Sequence, residues 1–204
     1  YTMQSNKTTL LPCAYFGSIE YFSHLISNKY LIEVNDHFIK QSLRTRCKIY
    51  GANGPLTLTV PKVRKNSSKT LFKDIKINYD HDWQKEHWES LKSSYRSSPF
   101  FEYYEDELQT LFQKKYIFLI DLNIEMMTFV CSKIGISTAF NLSESYIDNS
   151  NYVDKRMHNF DHIEPPRYMQ VFENKFGFIS NLSILDLLFN EGNNSKAYLE
   201  TINR

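Results

Sequence analysis

The densest set of groups able to do chemistry lies in one short stretch: His37, Lys40, Gln41, Ser42, Arg44 and Arg46. Two arginines two residues apart can grip a phosphate or carboxylate through their planar forks, and Lys40 adds a point charge. His37 can move a proton near neutral pH. A basic surface turn leading into a strand fits the same residues, and the stretch alone leaves both readings open. A second set lies further on. Trp83 and His87 stand four residues apart, on one face of a helix, with Trp88 turned toward the apolar stripe. His87 is there a candidate acid/base, or a partly buried histidine bonded to a carbonyl.

Other reactive side chains are more isolated. Cys13, beside the first strand-to-helix loop, suits a thiol nucleophile if a histidine lies close, and equally suits a buried structural cysteine. His158 and His162 are four apart, in a polar stretch without a helical pattern. No acid cluster repeats at ligand spacing, so neither a metal nor a cofactor is expected. Asp186 follows Ser183 by three residues, the spacing of a capping box. The chain contains no G-x-x-x-x-G-K-[ST], no G-x-G-x-x-G and no G-x-S-x-G. Nothing therefore supports the P-loop, dinucleotide-binding or α/β-hydrolase classes.

Charge is unevenly spread. The 204 residues carry a net charge of +1. Between Lys40 and Lys76 ten cations face Asp74 alone, a net of +9, so the remainder sums to −8. A chain so polarised can present a cationic face to an anionic partner, or solvated lysines on sheet edges. The small total argues against a general nucleic-acid coat, leaving nucleic-acid binding through this segment as the least favoured alternative. No run approaches the roughly 18 apolar residues of a membrane span. Three cysteines at wide spacing, Cys13, Cys47 and Cys131, give no disulfide framework. Residues 1–9 are polar and lack the apolar core of a signal peptide, so a cytoplasmic protein is expected, with residues 1–9 disordered or trimmed. Tyr1 is not a start residue, and Met3 is a candidate native start.

The elements that must position these groups are those of an α/β chain. Hydrophobic residues make up 42% and aromatic residues 15%, enough to exclude disorder and to build a large core. Residues 10–16 read as a buried strand. Gly17-Ser18 then leads into a helix over 19–26, and residues 30–34 form a second strand, the unit of a parallel sheet. Its first loop would lie at a carboxyl strand end, where such sheets place ligands. Residues 37–46 read as a loop or short helix. Residues 46–50 and 56–60 read as a hairpin turning at Gly51 to Pro55, and 72–79 as a further strand. Asp82 caps a helix to Tyr95, with Trp88, Leu91 and Tyr95 as its apolar stripe. Ser98-Pro99 starts the next helix, to about Gln113. Asn123 starts another, closed by Gly135. Residues 137–142 suggest a late strand, 149–166 a functional lid, 168–172 an extended or helical piece, and 184–190 a final helix capped by Ser183 and stopped by Gly192. The expected fold is a mixed sheet opened by a strand-loop-helix-strand unit, followed by a mainly helical C-terminal half, in a single domain over 10–204.

Several of these segments together resemble the WbqC-like protein family, in its Bacteroidetes-type form. Ala14-Tyr15-Phe16 with Tyr21-Phe22 is similar to the family's aromatic opening. The run from Asp36 to Arg46 resembles its Lys-Gln-Ser…Arg-x-Arg block. Residues 82–88 and 95–101 resemble its Trp…His…Tyr-x-x-Ser-Pro helix pair. Asp154-Lys155-Arg156 and residues 177–192 resemble its tail. The ordered set spans about residues 10–199. It departs at the start, where Pro12-Cys13 and Gly17 stand in place of a Gln-Pro and a following Pro. The resemblance implies a transferase of surface polysaccharide (O-antigen) biosynthesis, moving an aminoacyl or acyl group such as glycine to an amino sugar. A non-catalytic binding or assembly protein of envelope biosynthesis is the alternative. On the enzyme reading, Lys40, Arg44 and Arg46 hold the phosphate or carboxylate of a small anionic substrate. His87 or His37 serves as acid/base, and Tyr15 and Trp83 stack on the ligand. That reading requires these residues to meet in one pocket.

Overall fold

The computed structural model describes residues 7–64, 69–148, 151–160 and 163–202. The chain opens as expected. β1 (Thr9–Pro12) leads to α1 (Ile19–Ile26) and back to β2 (Tyr30–Glu33), with β1 and β2 parallel. Ser18 caps α1, its Oγ accepting from the Tyr21 N–H at 3.3 Å. Gly17 is required at this entry: a Cβ there would lie 2.7 Å from the Tyr21 ring. Asn28, at φ 55°, turns the chain out of α1 toward β2.

The hairpin also forms. β3 (Arg46–Gly51) pairs antiparallel with β4 (Gly54–Thr59), Lys48 opposite Thr57 and Arg46 opposite Thr59. Cys47, Ile49 and Leu58 are buried on one face, while Lys48, Thr57 and Thr59 are exposed on the other. α2 (Trp83–Tyr95), α3 (Phe101–Gln113) and α4 (Leu119–Ile134) follow. β5 (Val153–Asp154) adds to the other edge of β1, giving a parallel sheet in the order β2-β1-β5. The last elements are α5 (Glu173–Phe176), α6 (Ile184–Glu191) and α7 (Ser195–Ile202). This is the mixed α/β architecture expected, with a helical C-terminal half. Among the described residues no helix is long and apolar enough to cross a membrane. Cys13, Cys47 and Cys131 are free and buried. Residues 1–6 and His162, which figured in the expectations, lie outside the described residues.

Several local expectations need correction. Residues 72–79 are not a strand. Phe72–Asp74 is a 3-10 turn, and beyond it Lys76 bridges Phe118 while Ile77 bridges Lys62. The alternation is real, but the segment runs between two neighbours and pairs continuously with neither. Ser98 does not cap α3. Its Oγ donates to the Tyr95 carbonyl at 2.6 Å, and the helix starts after Phe100, whose N–H donates to the Phe189 carbonyl. α4 begins one turn before Asn123, and Gly135 closes it in the left-handed conformation at φ 79°. The late strand reduces to a single bridge between Leu142 and Ile32.

The Asp186 expectation fails more instructively. Ser183 does cap α6, but the Asp186 carboxylate turns away from the cap into the core. It accepts from Tyr95 Oη at 2.8 Å, from Gln170 Nε2 at 2.9 Å and from Tyr168 Oη. Burial pushes its carboxyl up, and the three donors oppose that shift. α2, α6 and the 168–170 segment thus meet on one acid. Asp186→Ala takes the carboxylate from the buried Tyr95 and Tyr168 hydroxyls, while Gln170 keeps the Ile179 carbonyl at 2.8 Å, a cost of about 3 kcal/mol or more. Urea unfolding should show that loss, and a loss below about 1 kcal/mol would contradict the network's role.

Candidate functional site

The stretch after β2 is held from beneath. The Arg44 side chain is fully buried and its guanidinium pairs with the Asp36 carboxylate. Arg44 Nη1 also reaches the Arg156 carbonyl at 3.4 Å. Burial pushes the Asp36 carboxyl above the usual carboxylate range, against the pull of the Arg44 charge and hydrogen bond. From α4, Asn123 Nδ2 donates to the carbonyls of Arg44 (2.9 Å) and Cys13 (3.2 Å), which explains a polar residue fully buried in a helix. The Tyr15 N–H donates to the Leu43 carbonyl, tying the first loop under the second. Gln41 takes a left-handed conformation at φ 56°, and Ser42 closes the turn by donating to the Ile39 carbonyl at 2.8 Å.

Above this floor lies a cleft of about 380 Å³. Lys40 lines it from the loop, Arg46, Lys48 and Thr57 from the polar face of the hairpin, and Arg156 and His158 from the segment after β5. Among the described residues its lining contains no Asp or Glu. The cations differ in what surrounds them. Arg156 is held by Asp154, with Nη2 to Oδ2 at 2.7 Å and Nε to Oδ1 at 3.0 Å, and lies 3.5 Å from Glu33. Lys40, Arg46 and Lys48 make no ion pair among the described residues. The buried Nε of Arg46 has no hydrogen-bond partner there. Arg44 Nε and Asp36 Oδ1 are likewise unmatched.

His158 sits on the cleft wall with Nε2 3.1 Å from Glu20 Oε1. Glu20, in the first turn of α1, is buried. Asn181 braces it by accepting from its N–H at 2.8 Å. A carboxylate that fixes a histidine ring at a cleft is an arrangement suited to acid/base work.

The remaining sequence candidates lie elsewhere. Tyr15, Trp83 and His87 do meet, but in the core. Tyr15 Oη is 2.9 Å from His87 Nδ1, and the Trp83 ring stands edge-on to the imidazole at 5.1 Å. His87 is 5% exposed, Trp83 2% and Tyr15 0%. Burial lowers the His87 pKa to about 4, partly opposed by the Thr59 carbonyl. His37 is exposed, bridges Leu71 through its backbone and does not line the cleft. Burial pushes the Cys13 thiol up to about 12, far from a thiolate at neutral pH. The predicted set therefore divides: Lys40 and Arg46 share the cleft, Arg44 lies beneath it, and the aromatic–histidine trio is packed away from it. The part of 149–166 that is described supplies β5 and a cleft wall. Among the described residues no cluster of three His, Cys, Asp or Glu could hold a metal.

Sequence reasoning missed Lys48, Arg156 and the Glu20–His158 pair as site residues. Lys48 was within reach, because residues two apart on a strand share a face with Arg46. Arg156 and Glu20 had no local signal, being brought in from 110 and 26 residues away from Arg46 along the chain.

Comparison with known proteins adds a family. A family model described as "WbqC-like protein family" matches residues 13–161 and 143–198. The chain is 26% identical over 206 residues to "Uncharacterized protein Rv1507c" of Mycobacterium tuberculosis, covering 84% of this chain and 87% of that one. No solved structure matches.

The buried imidazole has a consequence for pH. The His87 pKa of about 4 lies below the ordinary value of 6.5, so the unfolded chain binds more protons between the two. Stability is therefore lost as pH falls through that window, by at most about 3 kcal/mol for this residue. His24, also lowered to about 4 by burial, titrates alongside it. Melting temperatures measured from pH 7 to pH 4 should fall less steeply for His87→Gln than for the parent, and parallel curves would contradict the assignment.

Proposed function

Because this chain belongs to the WbqC-like protein family, we propose that it is a transferase of surface-polysaccharide (O-antigen) biosynthesis that holds an anionic small molecule in the cleft. The anion is a phosphate or carboxylate borne by the donor or acceptor, and the group moved is aminoacyl or acyl, such as glycine onto an amino sugar. The observation that carries the binding part is the lining itself: Lys40, Arg46 and Lys48, with no acid among the described lining residues. Like charges gathered without counter-ions raise the local concentration of an anion and hold it by charge-assisted hydrogen bonds. On this reading Arg44 is a support for the loop rather than a ligand. His158, set by Glu20, replaces His87 and His37 as the acid/base, since among the described histidines it is the one that lines the cleft. The reading places the protein in the cytoplasm, where activated donors are made.

A second reading is favoured by a different observation. His87, Tyr15 and the cysteines are buried, which leaves the described cleft with few reactive groups. A non-catalytic anion-binding or assembly protein of envelope biosynthesis is consistent with that.

Two variants separate ligand from support. Arg46→Ala should lower the affinity for inorganic phosphate at least tenfold by calorimetry and leave the melting temperature almost unchanged, because Arg46 has no ion-pair partner among the described residues. Arg44→Ala strands the buried Asp36 carboxylate and should cost about 3–5 kcal/mol. Equal phosphate binding by parent and Arg46→Ala would remove the cleft from the account. In a strain lacking this chain, the parent should restore the aminoacyl or acyl content of the surface polysaccharide, read by mass spectrometry, and Arg46→Ala should not. Restoration by neither leaves the binding or assembly reading.

A further inference from the structure

We infer that the cleft is built for a diphosphate rather than for a single phosphate or carboxylate; this rests on the anion-binding reading of the same site. The first support is a charge count. Among the described residues Arg156 is neutralised by Asp154 and Glu33, and His158 is set against Glu20, leaving Lys40, Arg46 and Lys48 without ion pairs. Three such charges, with no acid among the described lining residues, match a ligand carrying two to three negative charges. A carboxylate would leave most of that charge facing itself.

Geometry is the second support. Arg46 and Lys48 are alternate residues of β3 and stand on its polar face, roughly 7 Å apart along the strand. At that spacing the two phosphates of a diphosphate can each take one of them, so that both cations are used without bending toward a single point. Arg46 then supplies the terminal fork of its guanidinium, and Lys48 supplies a point charge. Lys40 closes on the ligand from the facing loop, and Thr57, opposite Lys48 in the hairpin register, offers a hydroxyl.

The lining also limits what else is read. Among the described residues it contains no Phe, Tyr or Trp, and its His158 ring is already held by Glu20, so no large ring is offered on which a base could stack. The cleft therefore grips the diphosphate and leaves what it carries outside. That chemistry is shared by nucleotide-linked and lipid-linked diphosphates.

Calorimetry on the full chain tests this with inorganic pyrophosphate, inorganic phosphate and acetate at one ionic strength. Pyrophosphate should bind at least tenfold more tightly than phosphate, and acetate more weakly than either. Lys48→Gln, at an exposed strand position, should fold normally and bring pyrophosphate affinity down to near that of phosphate while changing phosphate affinity less than threefold. Uridine diphosphate and farnesyl diphosphate then separate the two sources, since the tighter of them identifies the carrier. Equal affinities for pyrophosphate and phosphate, both lost in Arg46→Ala, would overturn the diphosphate inference and keep the anion site. Binding of neither would overturn both. A single-stranded oligonucleotide that binds more tightly than pyrophosphate, with a steep salt dependence, would replace the diphosphate by a nucleic-acid backbone.

Discussion

The buried ion pair between Arg44 and Asp36 organises everything above it. A guanidinium with no exposed surface is tolerable only when a carboxylate and fixed acceptors meet it, because unpaired charge in the interior is expensive. Meeting that condition brings the start of the loop, its end and the Arg156 carbonyl together at one point. Asn123 then clamps the loop backbone from α4. The outcome is a rigid turn whose neighbours on either side, Lys40 and Arg46, project into the cleft. The pair thus uses one cation of the cluster to position two others.

The same division runs through the wider charge network. Arg156 is spent on Asp154 and Glu33, whereas Lys48 stands on the open face of the hairpin. Sorting cations by whether they already have a counter-charge separates framework from binding surface, which a count along the chain cannot do. It also separates the histidines. His87 is a core residue, kept neutral by burial and held by Tyr15, and its environment suits packing. His158 faces the cleft with a carboxylate behind it.

Much of the fold was legible because its signals are local. The Ser18 cap, the spacing of Ile19 and Phe22, the Gly51–Gly54 turn and the Gly135 stop each act within a few residues. The 72–79 segment was misread because alternation reports two-sided burial and does not say whether one neighbour or two supply it. α7 was not foreseen, since Ser195–Ile202 carries only two buried residues and is held mainly by what it packs on. The site was legible by half. The Arg-x-Arg block marked the right loop, but which arginine faces outward depends on Asp36 and on a carbonyl 112 residues away. Asp186 shows the same limit: its spacing from Ser183 satisfied a local rule, yet Tyr95, Tyr168 and Gln170 claimed the carboxylate.

The most direct measurement follows the arginine side chains themselves. Each Nε–H gives a resolvable NMR signal when a guanidinium is held in place, so a phosphate titration of the labelled protein can follow Arg44, Arg46 and Arg156 together. The account predicts that the Arg46 signal moves and saturates while those of Arg44 and Arg156 stay fixed. An Arg46 signal that does not respond, or an Arg44 signal that moves first, would contradict the assignment of one arginine to the ligand and the other to the fold.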